Sequence, residues 1–302
     1  MVGRVLSRQC PRSWPWGILS HSRFFTPVPN RSFWRKRTRR ESLRKTRPSP
    51  GKPRRLKKAW LSSIIGAEPI NVKSCAVLFS GGIDSTTALY WALERYDKVS
   101  PLTFDYGQRH RVEVRLAGRL VRKLGLAWTV LKVDLSQIGG SALTDPSIRL
   151  PRLKRSTRLP SGPPATYVPF RNGIFLAISA AWAEARGVRD LVCGFHVIDS
   201  PDYPDTRREF VRAMERAINL GTAVAFGGPK TRVLAPFLGL SKAEIIRRGL
   251  ALGADYSTSV SCYAGREAPC RTCSSCLLRR AAWKEVGRDD PLIARLRKGG
   301  RP

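Results

Sequence analysis

Residues 76–89 read A-V-L-F-S-G-G-I-D-S-T-T-A-L. An apolar run stops at Ser80, two glycines follow, and a hydroxyl-rich stretch then takes up helical spacing. The pattern leaves room for little besides a buried strand, a tight turn and a helix whose positive end faces that turn. Gly81 and Gly82 let backbone N–H groups come close to a ligand, and Ser80, Ser85 and Thr86 add hydroxyls. The Gly-Lys-Ser/Thr ending of a Walker A loop is missing. Asp84 would repel bare phosphate, so it makes sense beside Mg²⁺, whose hard oxygen ligands include carboxylates. The plainer alternative is a strand-to-helix turn with Asp84 as its N-cap.

Beyond this loop, strand-like and helix-like segments alternate. Strands are predicted at 76–80, 100–106, 128–133, 191–195 and 233–236, and helices at 85–95, 109–124, 170–186, 207–220 and 241–250. Ser241 and Glu244 predict a capping box at the start of the last helix. Such alternation implies an α/β fold, a mostly parallel sheet with helices on both faces and ligands beyond the strand C-termini. Residues 1–71 read as a basic leader and 72–255 as an α/β domain built around the phosphate-type loop, in which a Pro- and Arg-rich segment at 134–165 is expected to form a mobile flap or an insertion over a site. Residues 256–302 read as a cysteine knuckle, a C-terminal helix and a basic tail.

Charge is unevenly placed. Residues 1–70 carry eighteen Lys and Arg against Glu41 and Glu68, about half of the chain's formal charge of +33. Without apolar periodicity this leader is expected to be disordered. A nucleic-acid-binding arm, an organellar transit peptide and a stretch without a role are all open to it. No segment approaches the ~20 apolar residues of a membrane helix.

Four of the seven cysteines, Cys262, Cys270, Cys273 and Cys276, fall at C-x7-C-x2-C-x2-C spacing. That spacing brings four soft ligands to one tetrahedral ion with no open position, as in a structural Zn²⁺ site. An iron–sulfur cluster or a redox disulfide are the other chemistries open to such a set. Clustering of this kind fits a reducing, cytoplasmic setting better than a secreted disulfide frame.

The S-G-G-I-D-S-T string resembles the PP-loop of adenylating ATP pyrophosphatases (adenine-nucleotide alpha-hydrolase-like folds), which hold the β,γ-diphosphate and transfer AMP. The group retained is then the leaving diphosphate, which accounts for the missing lysine. Five further strings follow in order: T-F-D-Y-G-Q-R-H-R-V-E at 103–113, Y-V-P-F-R-N-G-I-F-L at 167–176, Y-P-D-T-R-R-E-F-V at 203–211, A-P-F-L-G-L-S-K-A-E-I at 235–245, and the four-cysteine knuckle. Together they closely resemble the 7-cyano-7-deazaguanine synthase family of queuosine-precursor biosynthesis, from about Cys75 to Trp283.

The resemblance implies ATP-dependent conversion of 7-carboxy-7-deazaguanine and ammonia to the nitrile, through an acyl-adenylate and an amide. By motif match, Phe79, Ser80, Gly81, Gly82, Ile83, Asp84, Ser85, Thr86, Thr87, Ala88 and Leu89 would bind ATP with Mg²⁺. Cys262, Cys270, Cys273 and Cys276 would hold one structural Zn²⁺. Arg171 is a candidate clamp for the substrate carboxylate or α-phosphate, its alternative being a helix-cap salt bridge. Arg109 and His110 follow a strand C-terminus; His110 is a candidate base or a hydrogen-bonded positioner. Asp202, Tyr203 and Asp205 are a set suited to guanine-like N–H groups and ring, or to a simple turn. Lys242 would neutralise charge developing on diphosphate, and Asp105 would assist Mg²⁺ or close its strand.

Phe170, where a small residue is usual, and Ser200-Pro201, where Ser-Gly is usual, depart from the family pattern. Free ammonia and a homodimer are expected, with no membrane association and with nucleic acid engaged, if at all, through the leader. The rivals are a PP-loop tRNA-modifying enzyme, a relative that stops at the amide, and a non-enzymatic zinc-knuckle RNA-binding protein.

Overall fold

The computed structural model describes residues 72–153, 162–198 and 202–299. The leader at 1–71 and the Ser200-Pro201 departure lie outside the described residues. Five strands form one parallel sheet in the order β3-β2-β1-β4-β5: β1 Ser74–Leu78, β2 Lys98–Asp105, β3 Thr129–Lys132, β4 Asp190–Val192 and β5 Arg232–Leu234. The helices are α1 Ile83–Leu93, α2 Val112–Lys123, α3 Arg171–Glu184, α4 Arg208–Gly221, α5 Lys242–Ala251, α6 Ser274–Val286 and α7 Pro291–Gly299.

Strand alternation divides the core. Cys75 and Val77 of β1 pack with Ala88 and Leu89 of α1, Leu120 of α2, and Ile245 and Ile246 of α5. Ala76 faces the other way, onto Leu176 and Ala180 of α3 and Val211 and Ile218 of α4. With both faces covered, Cys75, Ala76 and Val77 are all fully buried, which is why β1 reads as a continuous apolar run.

The α/β expectation holds, with shifts at element ends. β1 stops at Leu78, two residues early, although the Phe79 N–H still donates to the Leu102 carbonyl at 2.8 Å. α1 begins at Ile83 because the Ser85 hydroxyl turns back to Ser80 and the Gly82 carbonyl instead of capping the helix. The Ser241–Glu244 capping box is present at α5.

Of the two forms expected at 134–165, the described residues match a packed insertion. Its described residues form no helix or strand, but Leu135 and Leu143 are buried with Phe104, Tyr106 and Val168. The Leu153 N–H donates to the Thr272 carbonyl at 2.7 Å. Apolar side chains among the prolines and arginines tie this segment to the body as a wall. The C-terminal residues likewise share the main core: Trp283 of α6 lies edge-on to Tyr256 at 5.6 Å, and the Tyr256 hydroxyl is 2.6 Å from Thr87 Oγ1 of α1.

Candidate active site

The strand order runs outward from β1 in one direction to β3 and then switches sides to β4 and β5, and ligands of doubly wound sheets bind in the crevice at that switch. A cavity of ≈ 860 Å³ opens there, lined by the loop after β1, by Gly194 and His196 after β4, and by the segments around His110, Arg171, Tyr203 and Tyr263.

At one end lies the Ser-Gly-Gly loop. Gly81 has φ of +80°, and a Cβ on it would meet the Ala117 Cβ at 3.0 Å. The loop is braced from within. Ser80 N–H donates to Ser85 Oγ at 3.2 Å, and Gly82 N–H donates to Ser80 Oγ at 3.3 Å. Gly82 is the N-cap of α1 and has no side chain to offer the first-turn N–H groups, which leaves them for a ligand anion. Gly194 closes the other side, where an added Cβ would fall 2.7 Å from the Asp84 carbonyl carbon and oxygen. Gly194→Ala is therefore expected to displace the first turn of α1 and to lower ATP-dependent turnover by about 10²-fold. Pyrophosphate–ATP exchange would measure the loss, and thermal unfolding would show the fold retained.

The lysine absent from the loop arrives from α5. Lys242 Nζ donates to Asp84 Oδ1 at 2.7 Å and lies 3.0 Å from His196 Nε2, which is itself 3.4 Å from Asp84 Oδ2. Burial would raise the Asp84 carboxyl, but Lys242 and His196 outweigh it and hold the group well below the usual carboxylate range.

The inner end is aromatic and contains Arg171. Its guanidinium carbon lies 6.0 Å from the Tyr106 ring centroid and 5.9 Å from that of Phe175, and it donates to Asn172 Oδ1 at 3.4 Å. Burial opposes its charge, yet Tyr106, Asp205 and Tyr263 raise its pKa further. Opposite stand His110 and Glu113, with Nε2 and Oε1 3.3 Å apart. Burial, with Arg171 adding to it, lowers the His110 pKa to about 4. Burial pushes Glu113 up to about 8, against the pull of Arg171 and a Gln108 hydrogen bond. At neutral pH the contact is thus a hydrogen bond between uncharged groups rather than an ion pair.

Of the expected ATP residues, Phe79, Ser80, Gly82, Ile83, Asp84 and Ser85 line the cavity. Thr86, Thr87, Ala88 and Leu89 are buried in α1 and face the core, because the helix has turned them away from the crevice. His110, Arg171, Asp202, Tyr203 and Lys242 also line it.

Two expected substrate residues do not. Arg109 is exposed, and its guanidinium donates to the carbonyls of Asp145 (2.7 Å) and Ile148 (3.2 Å), which pins the insertion. Asp205 is buried and caps α3: Oδ2 accepts from the Asn172 N–H at 3.0 Å, a task the left-handed Phe170 preceding the helix cannot perform. Asp105 pairs with Arg111 at 2.5 Å, away from the cavity. Phe170 and Gly173 prove to be one feature, since a Cβ on Gly173 would fall 2.4 Å from the Phe170 ring. Glycine makes room for that ring.

His196, Gly194, Glu113 and Tyr263 were not singled out from the sequence; the one pointer to the first two was the predicted strand at 191–195, which ends in C-G-F with His196 next.

The four cysteine sulfurs all lie within 4.8 Å of one another, and those of Cys270 and Cys276 are 3.9 Å apart. A tetrahedron with metal–sulfur bonds of about 2.3 Å has edges of roughly 3.8 Å, so the set suits a single ion and leaves no space for a multi-iron cluster between the sulfurs.

A family model described as queuosine biosynthesis protein QueC matches residues 74–287. The 7-cyano-7-deazaguanine synthase of Stutzerimonas stutzeri is 43% identical over 225 residues, covering 74% of this chain and 98% of that protein. The same-named protein of Thiobacillus denitrificans is 46% identical over 226 residues, covering 73% and 98%. Among solved structures, a 4-thiouridine synthetase–RNA complex with bound ATP is 21% identical with a TM-score of 0.40, covering 76% of this chain and 54% of that one; the likeness is too loose to bear on function. A model match across most of the chain, and relatives matched over nearly their whole length, establish that the chain belongs to the QueC family of queuosine biosynthesis proteins.

Proposed function

We propose that this protein converts 7-carboxy-7-deazaguanine and ammonia to 7-cyano-7-deazaguanine with ATP, activating first the carboxylate and then the amide by transfer of AMP to oxygen. The observation that carries this reading is a phosphate loop with its own lysine sharing one cavity with Arg171, a cation held by rings and an amide.

The N–H groups at the start of α1, with Ser80 and Ser85, cradle the β,γ-diphosphate. Lys242 follows the charge that grows on diphosphate as it leaves. Asp84 would hold a Mg²⁺ at this end of the cavity, a carboxylate being a usual ligand for that ion, and the ion would neutralise phosphate charge. Arg171 holds the carboxylate so that one oxygen faces the α-phosphorus. Asp202 and Tyr203 meet the base itself. Cys262, Cys270, Cys273 and Cys276 would hold a structural Zn²⁺, which would orient α6, whose residues Leu278 and Arg279 form part of the cavity wall.

Purified protein given ATP, ammonium and 7-carboxy-7-deazaguanine is expected to yield the nitrile by mass spectrometry, with one AMP for each activation. AMP release stimulated by tRNA instead of the free base would overturn the assignment.

A further inference from the structure

The nitrogen that enters as ammonia must shed protons twice, once on becoming an amide and again on becoming a nitrile. Neither Arg171 nor the Lys242–Asp84 pair, committed to carboxylate and phosphate, is placed to take them. The motif at 103–113 supplies another group. Gln108 Oε1 accepts from the Tyr106 backbone N–H at 2.7 Å. That bond fixes the amide, so Nε2 points to the Phe104 carbonyl at 3.3 Å and to Glu113 Oε1 at 3.2 Å. His110 Nε2 approaches the same oxygen at 3.3 Å, while its Nδ1 is buried with no hydrogen-bond partner among the described residues. Glu113, His110 and Arg171 all line the cavity.

We infer that Glu113, oriented by Gln108 and His110 beside Arg171, is the base that accepts protons from the incoming nitrogen. The inference rests on the proposed activity, with the substrate carboxylate on Arg171. A carboxylate that reads a guanine-like ring takes its N1–H and 2-amino groups, and the 2-amino group lies at the far end of the bicycle from the seven-position carboxylate. A residue grouped with Arg171 therefore falls at the reacting end.

In the first step the ammonia nitrogen bonds to the acyl carbon, the C–O bond to AMP breaks with its electron pair, and Glu113 takes one N–H proton. In the second, the amide oxygen bonds to the α-phosphorus and diphosphate leaves. Loss of the remaining N–H protons then raises the C–N bond order as AMP departs, and solvent reclaims each proton from Glu113 between transfers.

Around Glu113 stand His110 and Gln108 from its own segment, Tyr106 from the end of β2, Arg171 from α3, and Tyr263, whose ring lies 6.0 Å from that of His110. With the carboxyl at about 8, the basic form grows as pH rises through that value.

The test is Glu113→Gln in the full chain, with three readouts. Pyrophosphate–ATP exchange with 7-carboxy-7-deazaguanine and no ammonium is expected to stay within about tenfold of wild type. Amide and nitrile formation with ammonium is expected to fall by about 10²–10⁴-fold, and the rise with pH, corrected for free ammonia, to disappear. Hydroxylamine, a stronger nucleophile with less need of a base, is expected to trap the acyl-adenylate with a much smaller defect. Glu113→Asp should recover part of the ammonia rate, and it decides the matter if Glu113→Gln loses exchange through misfolding. Wild-type nitrile rates in E113Q, or equal losses with ammonia, hydroxylamine and exchange across both variants, would overturn the inference. Wild-type protein unable to exchange at all would sink the proposed activation chemistry itself, and this inference with it.

Discussion

Asp84→Asn is expected to lower pyrophosphate–ATP exchange by about 10²–10³-fold or more, the scale seen when one charge-stabilising group is removed from an active site. The effect is large because two functions are lost together. Asn cannot offer a metal the negative charge of a carboxylate, and it releases Lys242, whose ammonium is placed by two contacts to Asp84. A partly buried cation deprived of its counter-charge is strongly unfavourable, so Lys242 would reorient instead of waiting over the phosphates. Lys242→Met should be severe as well, and the double variant little worse than either single one, because the pair acts as a unit. Acid should not imitate the substitution. A carboxyl whose folded pKa lies below its ordinary value contributes stability that is present above the unfolded pKa and lost only as pH falls through the folded one. Lys242 and His196 hold Asp84 well below the usual carboxylate range, so mild acid leaves its charge in place. Near-normal exchange in Asp84→Asn would remove the loop from the mechanism.

What could be read without coordinates was what short stretches of chain determine. The run from Val77 through Ser85 carries its strand, turn and helix start in neighbouring letters, and the capping box of α5 is a four-residue signal. Cysteine spacing is equally local. Lys242 could be named from its motif, but its union with Asp84, 158 positions away, depends on how the sheet is ordered. His196 is invisible for the same reason: it matters because β4 lies beside β1, and order within a parallel sheet is not written in periodicity. Arg109 and Asp205 have letters that suit a substrate, whereas packing turns one to the surface and the other under α3. Phe170 departs from the family pattern on its own, but Gly173, three residues on, is what leaves room for its ring.

Removal of the ion proposed at the cysteine knuckle is expected to abolish turnover before the sheet itself melts. Cys273 is the N-cap of α6 and Cys276 lies in its first turn, so the ion fixes where that helix starts. The helix carries Arg279, which donates to both oxygens of Asp290 at 2.6 and 2.7 Å and to the Ser259 carbonyl at 2.8 Å. Val260, Ser261, Tyr263 and Arg279 all line the cavity. Without a metal, four sulfurs within 4.8 Å of one another have only weak hydrogen bonds to hold them, such as those from the Cys270 and Cys273 N–H groups at 3.3 Å, against the roughly 10–16 kcal/mol that a structural Zn²⁺ contributes in small zinc domains. The apolar layers on the sheet's two faces are built mostly from β1 and α1–α5, with Ala282 and Trp283 of α6 at one margin, so the loss should begin locally. Metal analysis of purified protein is expected to find one zinc per chain. A chelator strong enough to strip it should first make residues 257–290 sensitive to protease and end nitrile formation, with global unfolding following at higher temperature. Restoring Zn²⁺ under reducing conditions should recover both. Cys273→Ser should behave like stripped protein and resist rescue. A metal-free preparation with full activity and unchanged protease resistance would show that core packing alone holds α6 in place, leaving the cysteines no part in shaping the cavity.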